Sequence, residues 1–257
     1  MTVLVAIPYW TTAAPYIDEA VASALAQTER DLVVMVAGDG VEPPVTVRDP
    51  RLVVVSFPTN EGAPATQQAM LLASPFEWYA PMGADDRLDP DYLEGLLAGS
   101  GKARSSWRLY HFDDEREWVK EDFAGNPAHT EFGIFDTDTL RSVGGYGVER
   151  RCGQDTLLYL GLLPHVTPID RMPGPRYHKR LHGASLTHDE ATGHGSAYRT
   201  EVITHNDAVM TTLVNWGFGD LARIRAFREW LARDQADMML ERERLVRMAL
   251  SLRAVAA

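Results

Sequence analysis

The chain has 257 residues, 45% hydrophobic and 24% charged, with a formal net charge of −11. That size suits one domain with a sizeable core plus an appendage; the single cysteine, Cys152, excludes an intramolecular disulfide framework and favours a reducing compartment, taken here as the cytoplasm. The acidity argues against broad nonspecific binding to nucleic acid or anionic membrane, no apolar run approaches the ~20 residues that span a bilayer, and no signal peptide is expected, because the chain enters a strand-like segment without a basic leader.

In chain order, residues Thr2–Ile7 read as a short strand ended by Pro8. Between Tyr16 and Ala26 the apolar residues Ile17, Ala20, Val21, Ala24 and Leu25 recur at helical spacing. Leu32–Ala37 is a buried-strand pattern ending in Gly38-Asp39-Gly40, and Arg51–Phe57 is another strand. Ala63–Ala73 reads as a helix with Pro64 in its first turn, where proline is tolerated. Trp78–Met82 is a fourth strand, followed by a helix over Pro90–Ala98. Strands alternating with helices imply a mostly parallel central sheet with helices on both faces, a Rossmann-like α/β arrangement. Ligands of such sheets bind outside the carboxyl ends of the strands. Pro8-Tyr9-Trp10, Gly38-Asp39-Gly40, Asn60-Glu61-Gly62 and Ala84-Asp85-Asp86 all fall there, so these clusters are expected to converge on one edge.

Beyond residue 100 the pattern changes. Trp107–Phe112 and Glu117–Val119 read as short strands around the acidic turn Asp113-Asp114-Glu115. Phe132–Phe135 is strand-like, and Asp136 or Thr137 caps a short helix to Arg141. Thr156–Leu163 is helix-like, while Val166–Ile169 and Pro175–Leu181 read as strands. From about Ser196 the chain is expected to be helical to its end, with a break near Gly217-Phe218-Gly219. Leu221–Arg253 is amphipathic, fitting a helix that packs on its own domain or forms a homodimer contact. The expected division is a domain over 1–195 and a helical C-terminal extension over 196–257.

The run Gly83-Ala84-Asp85-Asp86-Arg87-Leu88-Asp89-Pro90 carries the most chemistry. Adjacent carboxylates at a strand end make a hard oxygen site, suited to Mg²⁺ or Mn²⁺ shared with a diphosphate. A turn with helix-capping aspartates has the same composition.

The ordered series resembles the family 2 glycosyltransferases, whose fold is called GT-A. Val3-Leu4-Val5-Ala6-Ile7-Pro8-Tyr9-Trp10 is similar to the family's opening strand and Pro-x-Tyr turn. The helix ending in Ser23-Ala24-Leu25-Ala26-Gln27-Thr28 resembles its Ser-x-x-x-Gln-Thr, and Asn60-x-Gly62 the start of its second helix. Ala84-Asp85-Asp86 stands at its Asp-x-Asp region; Gly144-Gly145-Tyr146, Gly153-Gln154-Asp155 and His182-Gly183-Ala184-Ser185 resemble its later elements. The resemblance covers about residues 2 to 190. It departs from the family at Gly83, Gln154 and Gln67, where Asp, Glu and Arg are common.

The resemblance implies a metal-dependent, inverting transfer of a sugar from a nucleotide-diphosphate donor, with UDP-sugar expected, to an unidentified acceptor hydroxyl. The enzyme would be of the hexosyl- or N-acetylhexosaminyl-transferase type. Trp10 would stack on the base, and Asp39 would accept the uracil N3–H. Pro8, Asn60, Gly62, Gln67, Ala84, Asp85 and Arg180 complete the implied donor site. Asp85 and Asp86 would hold Mn²⁺ or Mg²⁺ with His182, or alternatively His178, and Asp155 would be the general base. Two rivals stand beside this reading: a catalytically silent nucleotide- or sugar-binding protein of the same fold, and a nucleotidyltransferase.

Overall fold

The computed structural model describes residues 1–112, 116–121, 133–153, 158, 162, 170–186, 188–216 and 221–256. Two βαβ units open the fold: β1 (Val3–Tyr9), α1 (Ile17–Leu25) and β2 (Leu32–Gly38), then β3 (Leu52–Ser56), α2 (Ala63–Ala73) and β4 (Trp78–Pro81). Then follow β5 (Arg87–Leu88), α3 (Tyr92–Leu97), β6 (Ala103–Phe112), β7 (Arg116–Glu121), β8 (Gly133–Asp136), α4 (Thr137–Ser142) and β9 (Asp170–Leu181). Three helices close the chain: α5 (Ala197–Trp216), α6 (Leu221–Leu231) and α7 (Ala236–Ala256). Among the described residues the sheet has nine strands in the order β3-β2-β1-β4-β8-β6-β9-β5, with β7 beside β6. The β3-β2-β1-β4 half is parallel, and β8 runs antiparallel between β4 and β6.

Both faces of this sheet are covered, as the unbroken apolar strands require. Successive residues of a strand point to opposite faces. Val3, Val5 and Ile7 accordingly meet α1 and α3 in one core, while Leu4 and Ala6 meet α2, α4 and α7 in the other. The C-terminal extension joins the second core directly, with Val246 0% exposed beside Ala69 and Met70. No helix among the described residues is long and apolar enough to cross a membrane.

Several boundaries differ from those expected. Pro8 lies inside β1, opposite Ala37, rather than ending it. Pairing of β1 to β4 stops at Ala6, so the missing N–H falls beyond that ladder and is tolerated. The helix expected over Pro90–Ala98 begins only at Tyr92, because Arg87 and Leu88 pair with His178 and Tyr177 as β5. Beyond the expected positions, the terminal helices are also interrupted at the 3-10 turn Arg233–Gln235, and α7 packs against α2 and β3. Asp136, rather than Thr137, caps α4, accepting the Thr139 amide at 2.9 Å. The expected strand Val166–Ile169, the turn Asp113-Asp114-Glu115, Phe132, the break Gly217-Phe218-Gly219 and most of Thr156–Leu163 lie outside the described residues.

The Ser-x-x-x-Gln-Thr signature is a staple. Gln27, fully buried, donates to the Asp89 carbonyl at 2.8 Å and accepts the Leu93 amide at 2.9 Å. Thr28 donates to Glu94 at 2.6 Å. Together they bind α1 to α3 and fix the segment that carries Asp85 and Asp86.

Candidate active site

The loops after β1, β2 and β4, the turn before α2 and the end of β9 meet around a cavity of about 420 Å³. That is within the range of ligand sites, ~300–1,000 Å³. Pro8, Trp10, Asp39, Asn60, Gly62, Gln67, Ala84, Asp85, Asp86 and Arg180 all line it. The structure thus brings together every residue assigned to the donor from sequence. Trp10 stands 43% exposed, with extended backbone at the head of the 3-10 turn Thr11–Ala13, an aromatic face held at the cavity wall.

Asp39 is built into a turn. Its carboxylate accepts the backbone N–H of Glu61 at 2.9 Å and of Gly62 at 2.7 Å, stitching the β2 loop to the start of α2. Gly62 must be glycine there: its φ is +95°, and a Cβ would press on Arg151. Arg242 of α7 pairs with the same carboxylate at 2.9 Å. Gln67 points at the sheet, donating to the Ala6 carbonyl at 3.3 Å and accepting from the Tyr79 hydroxyl.

At the end of β4 the two carboxylates have different surroundings. Asp85 lies 2.9 Å from Nε2 of His182, whose ring packs on Tyr16. Asp86 is buried: its Oδ2 accepts the Tyr177 hydroxyl at 2.5 Å and its Oδ1 the Arg180 amide at 2.8 Å. Burial, then the neighbouring Asp85 charge, push its carboxyl up to about 7, against the opposing pull of Lys179 and the two hydrogen bonds. Gly83 donates its N–H to Tyr177 at 2.7 Å, and a Cβ at this position would sit 2.3 Å from Asp86 Oδ2. The space a side chain would need at Gly83 is thus filled by Asp85 and Asp86.

His178 goes elsewhere. It meets Asp89 at 2.7 Å, so of the two candidate histidines only His182 joins Asp85. Arg180, expected in the donor site, lines the cavity but is committed: it donates to the Asp85 carbonyl at 2.8 Å and to Glu19 at 2.7 Å, and stacks over Tyr16. Asp155 lies outside the described residues, as does Gln154. Cys152 is buried.

Among the described residues no group of three or more His, Cys, Asp and Glu side chains is arranged to hold a metal ion. Asp85 and His182 nevertheless offer an oxygen and a nitrogen donor side by side. That suits a divalent cation whose other positions go to diphosphate oxygens and water.

Three contributors were not read from the sequence. Tyr177 ties Gly83 to Asp86. Arg151 lines the cavity and donates to the Asn60 carbonyl at 2.6 Å. Arg242 is 1% exposed. Only the last left a signal: with Met238, Leu245 and Ala249 it lies on the stripe of α7 that faces the core, where an arginine needs a partner.

No protein-family model and no curated protein matches the chain. Solved structures do. That of S. aureus TarS 1–349 in complex with UDP matches 98% of this chain and 92% of that one, at 15% identity and a TM-score of 0.56. TarS 1–349 in complex with UDP-GlcNAc matches over 72% of this chain at 16% identity and a TM-score of 0.57. This chain has the fold of TarS, a glycosyltransferase. In several of these matches it spans about 60% of the TarS chain's length.

Proposed function

We propose that this protein is a family 2-like glycosyltransferase of GT-A fold that transfers a sugar from a nucleotide-diphosphate donor, UDP-linked, to an acceptor hydroxyl with inversion. The observation that carries the proposal is the convergence of Trp10, Asp39 and Asp85, the last joined by His182, on one cavity at the carboxyl ends of the parallel strands. The TarS complexes with UDP and UDP-GlcNAc support the same donor class.

In this reading the base stacks on Trp10 and the diphosphate lies toward Asp85. Asp85 and His182 would hold Mn²⁺ or Mg²⁺, which when bound supplies positive charge to the departing diphosphate. Asp86 buttresses this corner from below, through Tyr177 and the Arg180 amide. Asp155 takes the proton from the acceptor hydroxyl as its oxygen attacks the anomeric carbon and the bond to the diphosphate breaks. One displacement with one base inverts the configuration.

The test is UDP release from UDP-GlcNAc and other UDP-sugars, together with thermal shifts for UDP, GDP, ADP and CDP in Mn²⁺ or in EDTA. Ligand binding to the native state raises the melting temperature by mass action. The expected result is a UDP-dependent shift that EDTA abolishes, reduced in Asp85→Asn and His182→Ala, with turnover lost in Asp155→Asn. Binding without turnover under all conditions would instead favour a silent donor-binding protein, and no shift with any nucleotide would refute the donor site.

A further inference from the structure

Arg242 is the feature that the proposed reaction leaves unused. It lies on α7, some two hundred residues along the chain from the strand it serves, with 1% of its side chain exposed. Its guanidinium donates to Asp39 Oδ1 at 2.9 Å, to Thr66 Oγ1 at 3.1 Å and to the Thr59 carbonyl, and it stacks over Phe57 at 4.4 Å. The head group is thus held by the loop after β2, by the turn before α2, by α2 itself and by the residue after β3. Val246 and Met239, on either side of it along α7, are buried in the core beneath.

Among the described residues three donors reach Asp39: the amides of Glu61 and Gly62, and Arg242. Two of them use Oδ1 and one uses Oδ2. An ionised carboxylate has about four acceptor sites, so one remains, on Oδ2, in a residue that lines the cavity. A carboxylate only accepts. It favours a base whose pairing edge presents a ring N–H, as uracil does, over cytosine, whose corresponding ring nitrogen is an acceptor. That selection lasts only while Asp39 stays oriented. A buried carboxylate stripped of its cation is costly, so without Arg242 it turns away from the cavity.

We propose that Arg242 is a positioning residue for nucleobase selection, so that the C-terminal helix is a working part of the donor site. The inference rests on the donor-site reading above. It predicts that the choice between nucleotides is set from a part of the chain distant in sequence from every motif.

The experiment is calorimetric titration of UDP and of CDP, each with Mn²⁺, into the full-length wild type, Arg242→Met, Arg242→Lys and Thr66→Val. Methionine keeps the apolar stem and removes the charge, lysine keeps the charge without the fork, and Thr66→Val removes one tether with little change of shape. Far-UV circular dichroism and unliganded melting report folding. The expected result is a wild type that prefers UDP, and a UDP-to-CDP affinity ratio that falls about tenfold or more in Arg242→Met, the loss of about one charged hydrogen bond. Arg242→Lys and Thr66→Val should lie between the two. A ratio unchanged within about twofold in a folded Arg242→Met overturns the proposal. If that variant does not fold, an unchanged ratio in both Arg242→Lys and Thr66→Val overturns it. A purely structural role would lower melting in every variant and leave the ratio alone. A wild type that binds neither nucleotide overturns the donor site itself, a different result from a UDP-selective wild type whose variants select equally well.

Discussion

Replacing Gly83 with alanine should disrupt the carboxylate corner, although it adds a single methyl group. The new Cβ would lie 2.3 Å from Asp86 Oδ2, 2.9 Å from its Cγ and 3.0 Å from Asp85 Oδ1. An exposed carboxylate would swing aside at little cost. This one is pinned by Tyr177 at 2.5 Å and by the Arg180 amide at 2.8 Å, inside a buried pocket. Relief therefore means giving up at least one of these hydrogen bonds or shifting the backbone. A hydrogen bond contributes ~0.5–1.5 kcal/mol and overpacking costs ~1–3 kcal/mol, so a destabilisation of about 2 kcal/mol is expected. Urea unfolding of Gly83→Ala, with the slope checked against wild type, measures this directly. The UDP-induced thermal shift in Mn²⁺ should fall in parallel, because Asp85 is the second neighbour displaced. A variant within about 0.5 kcal/mol of wild type, the range of an ordinary surface substitution, would show that the carboxylates have room to move and that the packing argument is wrong.

Trp10→Ala should weaken UDP binding by about 5- to 150-fold, the value of ~1–3 kcal/mol for one base stacked on an aromatic ring. Its effect on unliganded stability should be small, because Trp10 is 43% exposed; equal UDP affinity in the variant would remove Trp10 from the site. Val246→Ala on α7 should cost about 2 kcal/mol in urea unfolding, since Val246 is fully buried, whereas Met248→Ala, 55% exposed, should stay within about 0.5 kcal/mol. Equal effects would mean that α7 does not pack as described. Asp136→Ala should lose about 1 kcal/mol at pH 7, as for a helix cap. Burial works to raise the Asp136 carboxyl, but hydrogen bonds from Lys102 and Thr139 outweigh it and hold it below its ordinary value of 3.8. The stability this charge contributes is therefore present above pH 3.8 and fades as the pH falls through the lower folded value. The gap between wild type and variant should narrow in acid, and a gap independent of pH would exclude the carboxylate charge as its source.

What the sequence determined by itself was local. Apolar runs in β1, β2 and β4 and the helical spacing in α1 gave the alternation from which a covered, mostly parallel sheet follows, because each pattern reports its own burial. The edge where Trp10, Asp39, Gly62 and Asp85 meet was legible for the same reason: in a parallel sheet the carboxyl ends of strands share one side. What only the tertiary structure decided was partnership between segments far apart in the chain. His182 and His178 lie four residues apart, yet the register of β9 against β5 sends one to Asp85 and the other to Asp89. Arg180 has the composition of a phosphate clamp but is turned to Glu19 and Tyr16. Asp86 shares a dipeptide with Asp85, but the fold buries it, and burial raises its carboxyl to about 7. Arg242 falls on the apolar stripe of an amphipathic helix, but its partner was decided only when the fold laid that helix across α2 and β3. Patterns along the chain record which residues are buried, and the choice of partner for a buried charge is made in three dimensions, where desolvation makes each pairing costly to leave unmet.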